Sequence, residues 1–194
     1  MMKLIKWLMT GMLALSLTAC ASYYPIAVDV APTVDAKGGV YRGQTLTLSS
    51  QDSRKNDYVI QIEQNNKAPV VVGASNNIKV QMEQALAQGL SNQGAFVENG
   101  APTQVTLELQ EVLARVIRGH ISYDVVQQLR MQLTLKRDGR TITKQYRRSA
   151  QAEFPGRLHP ELDKVKDALN EQLSLMVKDM LSDADVQQFL GGQS

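Results

Sequence analysis

Between Gln104 and Phe154 the chain alternates apolar and polar residues through three successive runs, and this constrains the fold more than any other feature. Val105, Leu107 and Leu109 alternate with Thr106, Glu108 and Gln110, after which the apolar positions shift phase to Val112, Ala114 and Val116. A period of two belongs to a strand with one buried face, and a change of phase within it marks a bulge or bend. Val125, Leu129, Met131, Leu133 and Leu135 then alternate with Gln128, Arg130, Gln132 and Thr134. Asp138-Gly139 is a residue pair suited to a two-residue hairpin turn, so Thr141 to Phe154 is expected to return antiparallel.

Upstream, Gln44 to Leu48 and Tyr58 to Ile62 are rich in β-branched and aromatic residues and read as two more strands. Ser75 is the expected N-cap of a helix through about Asn92, with Ile78, Met82, Ala85, Leu86, Gly89 and Leu90 on one face and Gly94 as its stop. Pro155, Gly156 and Pro160 interrupt the strand pattern. Leu162, Val165, Leu169, Leu173, Met176, Val177, Met180 and Leu181 then mark a second, longer helix. Ser182 and Asp185 are candidate caps of a short third helix ending near Leu190. Each main helix carries one apolar stripe, so both are expected on the same face of a sheet. The expected fold is α+β: a two-layer sandwich, an antiparallel sheet of about five strands with two main helices packed on one face.

The start of the chain sets the expected compartment. Lys3 and Lys6 precede a mostly apolar stretch, Trp7 to Leu17, too short to span the roughly 30 Å hydrocarbon core comfortably, and small residues follow it, as in an export signal. Leu17-Thr18-Ala19-Cys20 resembles the bacterial lipobox, which implies cleavage between Ala19 and Cys20 and acylation of the Cys20 thiol, with palmitate-type chains as the anchor. The expected organisation is a signal peptide over 1–19, a lipid-anchor cysteine and tether over 20–43, and one periplasmic domain over 44–194. Pro25, Pro32, Gly38, Gly39 and Gly43 favour the tether reading, and fully extended it would reach about 75 to 80 Å. Ile26, Val28 and Val30 alternate, so part of it could instead join a sheet edge. Ala21 follows the cysteine where, by the rule for enteric-type lipoproteins, an aspartate would retain the protein in the inner membrane. The expected location is the outer membrane, periplasmic face.

Composition narrows the functional classes. With Lys+Arg 21 and Asp+Glu 19 in 194 residues, the charge balance is not that of a nucleic-acid binder. Cys20 is the only cysteine, which excludes an internal disulfide framework. The two histidines, His120 and His159, share no helical metal-binding spacing. Ser122 near His120, and Ser149 among arginines, lack a nucleophile motif, and Glu108 with Glu111 or Asp163 with Asp167 reads as a solvated face. The expectation is therefore no enzyme, no metal and no cofactor.

The charge map is uneven. Gln104 to Arg148 holds nine basic residues and four acids, a net of +5, whereas the tail from His159 has a net of −4. One reading is mutual neutralisation, the acidic helix lying near the basic sheet. The other is that Lys136, Arg137, Arg140, Lys144, Arg147 and Arg148 form an anion-binding hairpin surface for peptidoglycan or lipopolysaccharide. Lys144, Tyr146 and Arg148 share strand parity with Ile142, which would place some of that charge at the edge of the core.

The lipobox, the strand Gln44-Thr45-Leu46-Thr47-Leu48 followed by Asp52-Ser53-Arg54, the segment Ala85-Leu86-Ala87-Gln88-Gly89-Leu90-Ser91-Asn92-Gln93-Gly94 and the long closing helix together resemble the YajG family of bacterial outer-membrane lipoproteins. The resemblance implies an accessory role in the envelope and carries over no catalytic residues. The expected partners are the membrane, through the N-terminal lipid, and an envelope protein or a second copy of the chain. Peptidoglycan or lipopolysaccharide is the alternative, and nucleic acid is not expected.

Overall fold

The computed structural model describes residues 27–36, 38–155 and 159–191. Cys20 and the lipobox lie outside the described residues. The centre of the fold is an antiparallel ribbon of three strands, β6 (Thr103–Arg118), β7 (Ser122–Arg137) and β8 (Arg140–Pro155), each 16 residues long. The β7–β8 ladder runs without a break from Ser122 opposite Pro155 to Arg137 opposite Arg140. It closes through Asp138 and Gly139, at φ 49° and 73°. Two successive positive φ values define the type I′ turn, whose twist matches that of the strands it joins.

The phase change in β6 is a bulge. Leu109 faces Met131 and Glu111 faces Arg130, which leaves Gln110 without an opposite number. The buried positions accordingly pass from Val105, Leu107 and Leu109 to Val112, Ala114 and Val116. On its other edge β6 is shared by two strands, both parallel to it. β2 (Thr45–Asp52) pairs with its first half and β3 (Tyr58–Gln64) with its second. β3 turns through Asn66, at φ 57°, into β4 (Lys67–Ala74), which pairs antiparallel with it. Two short strands, β1 (Ala27–Val28) and β5 (Phe96–Val97), lie parallel to β4 and β2 respectively.

The expected two-layer sandwich with an antiparallel sheet of about five strands is therefore overturned: among the described residues the sheet has eight strands, is mixed and curls into a half-barrel, and three helices accompany it. Parallel pairing needs a crossover, usually helical, and α1 (Ile78–Asn92) supplies one between the β2–β3–β4 segment and β6. β4 escapes a periodicity reading because Pro69 interrupts it. That proline is tolerated beside a register shift and beyond the two residues, Gly73 and Ala74, that β1 pairs.

The helices were legible. The buried residues of α1 include the six apolar-face positions read from the sequence, and those of α2 (Leu162–Ser182) are the eight that its spacing marked. The caps differ: Asn77, not Ser75, accepts the N–H of Val80 on α1. Asp183, not Ser182 or Asp185, accepts the N–H groups of Asp185 and Val186 at the start of α3 (Ala184–Gly191). Ser75 instead donates its N–H to Val28 O, tying β1 in place. Of the stretch expected to be a tether, residues 27–36 and 38–43 lie against the domain. Val28, Val30 and Tyr41 are buried, and the N–H groups of Ala31 and Thr33 donate to Asn170 and Ser174 on α2. Among the described residues no helix is long and apolar enough to cross a membrane.

The two main helices cross closely at Gly89, where a Cβ would stand 2.3 Å from Leu181 Cδ1 and 3.1 Å from Val34 Cγ1. Gly89→Ala should therefore lower stability by about 1 to 3 kcal/mol through overpacking, although alanine is the better helix former. Chemical denaturation checks this, and a stabilised variant would refute the close crossing.

Candidate functional site

The unbroken β7–β8 register decides where each candidate basic residue falls. Odd positions of β7 and even positions of β8 face the helices, as the burial of Leu133, Leu135 and Tyr146 shows. Arg137, Arg140, Lys144 and Arg148 therefore share the helix side, whereas Lys136 and Arg147 project from the opposite face. The six do not form one surface.

On the helix side part of the charge is neutralised internally. Arg148 pairs with Asp179 and donates through Nε to Gln172 at 3.2 Å. Lys144 pairs with Asp185 and lies 3.3 Å from Asp183. Asp183 is the hub: it accepts from the hydroxyl of Tyr146 at 3.0 Å and caps α3 with its other oxygen. Its burial works against ionisation, but hydrogen bonds from Tyr146, Lys144 and the α3 backbone outweigh this and hold the carboxyl below its ordinary range. Burial and the adjacent Asp183 charge in turn raise the Tyr146 phenol well above its usual value. The same two causes push Tyr41 up to about 12, and its hydroxyl donates to Leu181 O at 3.0 Å.

At the hairpin tip the arrangement changes. The guanidinium carbons of Arg137 and Arg140 sit 5.4 and 5.8 Å from the centre of the Phe189 ring. Arg137 donates to Leu190 O and Gln44 Oε1, at 3.3 and 3.4 Å. Arg137, Arg140 and Phe189, with Ile142, Thr143, Lys144, Asp185 and Gln188, line a cleft of about 470 Å3 between the hairpin and α3. A second groove, of about 460 Å3, runs between residues 33–36 and α2.

The remaining candidates are scattered. Ser149 is exposed on the outer face of β8, Ser122 begins β7, and both histidines are exposed. No hydrogen bond joins either histidine to either serine among the described residues. Glu111 pairs with Arg130, Glu108 accepts from Ser53 and Gln132, and Asp163 and Asp167 both meet Lys166. No group of three or more metal-ligating side chains forms among the described residues. Sequence reasoning passed over Asp183 and Phe189. An aspartate two residues before Asp185, at a helix boundary, was the available signal for the first; nothing in the pattern marked the second.

The curled sheet with its helices has a counterpart in the crystal structure of protein XCC0632 from Xanthomonas campestris. The TM-score is 0.57 at 10% identity, with 79% of this chain and 92% of that chain covered, so the likeness is one of fold. Two lipoproteins align more loosely. Rare lipoprotein B from Shewanella oneidensis has a TM-score of 0.40 at 11% identity, covering 71% of this chain and 90% of its own. Lipoprotein GNA1162 from Neisseria meningitidis has 0.35 at 10%, covering 72% and 99%. No curated protein matches the chain in sequence. A family model described as "Uncharacterized lipoprotein" matches residues 32–191, and the chain belongs to that family, in line with the YajG-like resemblance of its sequence.

The Asp183 hub fixes two limbs of a pH profile. A depressed carboxyl contributes stability at neutral pH that is lost as pH falls through its folded value, below about pH 4. A raised phenol contributes below about pH 10 and loses its contribution as pH climbs higher. Asp183→Asn should cost about 1 to 3 kcal/mol at pH 7, with the gap to wild type closing in acid. Tyr146→Phe should flatten the alkaline limb. Thermal melts from pH 3 to 11 test both, and parallel profiles for all three proteins would count against the hub.

Proposed function

We propose that this lipoprotein is a non-enzymatic envelope protein, anchored by acylated Cys20 in the outer membrane with its domain facing the periplasm, where it acts as an accessory or interaction subunit. The observation that carries the interaction role is the outer edge of β8. Among the described residues this 16-residue strand pairs only with β7, over a ladder with no bulge. A long open edge presents its main chain to another strand, and added strands are a common mode of protein recognition. Family membership supports the lipid anchor. A second reading, anionic envelope polymer on the hairpin, is favoured by Arg137 and Arg140, which meet no carboxylate among the described residues.

Two experiments test the main reading. In cells, Cys20→Ser should abolish incorporation of labelled fatty acid and release the protein from the membrane fraction; an acylated, membrane-bound variant would remove the anchor assignment. A photo-crosslinker placed at Gln145 or Ser149, along the open edge, should trap a reproducible protein partner or a second copy, whereas one at Lys164 on α2 should not. Equal trapping from both positions would deny the edge its role.

A further inference from the structure

We infer that the cleft between the tip of the β7–β8 hairpin and α3 binds a phosphate group. The inference rests on the second reading above and gives it a place and a ligand chemistry. Arg137 and Arg140 are the pair that closes the two-residue turn, which sets their Cα atoms about 5.5 Å apart. Both guanidinium groups lie toward the Phe189 ring. Two like charges gathered at one ring repel.

No described residue neutralises them. Among the described residues the Arg137 side chain donates only to neutral carbonyl oxygens, Leu190 O and Gln44 Oε1, and that of Arg140 meets no hydrogen-bond acceptor. The contrast lies on the same face of the same strand. Lys144 and Arg148 each receive an aspartate from the acidic tail. Next to Arg137 and Arg140 the tail places Phe189 and Gln188 instead. Two of the four helix-side cations are thus paired, and the two at the mouth are left for an external anion.

The site is also shaped for one. Phe189 is 5% exposed, and its fixed ring steadies both guanidinium groups from one side. Planar guanidinium forks suit phosphate because each can donate two N–H groups to different oxygens. Gln188 lines the same cleft, and Asp185 there is already held by Lys144. A cleft of about 470 Å3 is larger than a bare ion requires, so the ligand is a phosphate carried on a sugar, a glycerol or a lipid headgroup.

The test uses the full-length chain in non-ionic detergent, titrated calorimetrically with inorganic pyrophosphate, with dihexanoyl phosphatidic acid and with glucose as an uncharged blank. Saturable binding of at least one phosphate probe is expected. Stronger binding of phosphatidic acid would assign the site to a headgroup, and stronger binding of pyrophosphate to a soluble phosphate compound. Arg140→Gln, on an exposed side chain that leaves the melt unchanged, should weaken binding at least about tenfold. Arg137→Gln should do the same. The double variant Lys136→Gln with Arg147→Gln removes two charges from the opposite face and should stay within about twofold of wild type. Loss of binding in that double variant with none in Arg140→Gln would overturn the cleft while leaving the hairpin reading intact. Failure of the wild type to bind either phosphate probe would overturn both.

Discussion

The bulge at Gln110 is the constraint on which the rest of this domain depends. One residue without an opposite number changes the phase of β6 halfway along its length, and both halves still bury their apolar sides in the same core. The same position divides the other edge of the strand. The last pair with β2 is Asp52 with Leu109, and the first with β3 is Ile60 with Ala114. Ser53 closes the first ladder by donating its N–H to Leu109 O. A single long strand thus organises two parallel neighbours on one side and a continuous antiparallel one on the other, and a bulged, twisted strand of this length curls its sheet.

What could be read from the sequence follows from how local each signal is. The apolar stripes of the two main helices, the phase change in β6 and the Asp138-Gly139 turn are set by residues within a few positions of each other. Each is present where the pattern placed it. Parallel pairing of β2 and β3 with β6 joins segments separated by a hairpin and a helix, and no local pattern encodes which edge they choose. β5 is two residues long and leaves no period to detect. The expected count of strands is low because β1 and β5 are this short and Pro69 interrupts β4, and α1, although legible as a helix, carries no local sign that it is a crossover between parallel strands.

The charged hairpin was half legible for the same reason. Strand parity alone indicates that Lys144 and Arg148 share a side with the core. The identity of their partners depends on α2 and α3 packing across β8, which brings Asp179, Asp183 and Asp185 over the strand. Exposed ion pairs of this kind contribute little individually. Asp183 differs because its side chain is 16% exposed and one carboxylate serves a tyrosine, a lysine and a helix terminus together. It couples the last turn of the chain to the last strand of the sheet. Arg137 and Arg140 rest instead on an aromatic ring contributed by the far end of the chain, a contact without a signature in local sequence.

The docking of residues 27–36 along α2 alters the mechanics of attachment. With Val28 and Val30 buried and the backbone of Ala31 and Thr33 bonded to α2, the leash to the anchor proposed at Cys20 would not be the full stretch to Gly43. It shortens to the seven links between Cys20 and Ala27, which span no more than about 25 Å. On the proposed anchor, a domain on so short a leash would stay close to the bilayer. Its neighbours would then be limited to what lies at the membrane surface, and the face of the domain that met them would be set by where that strap begins.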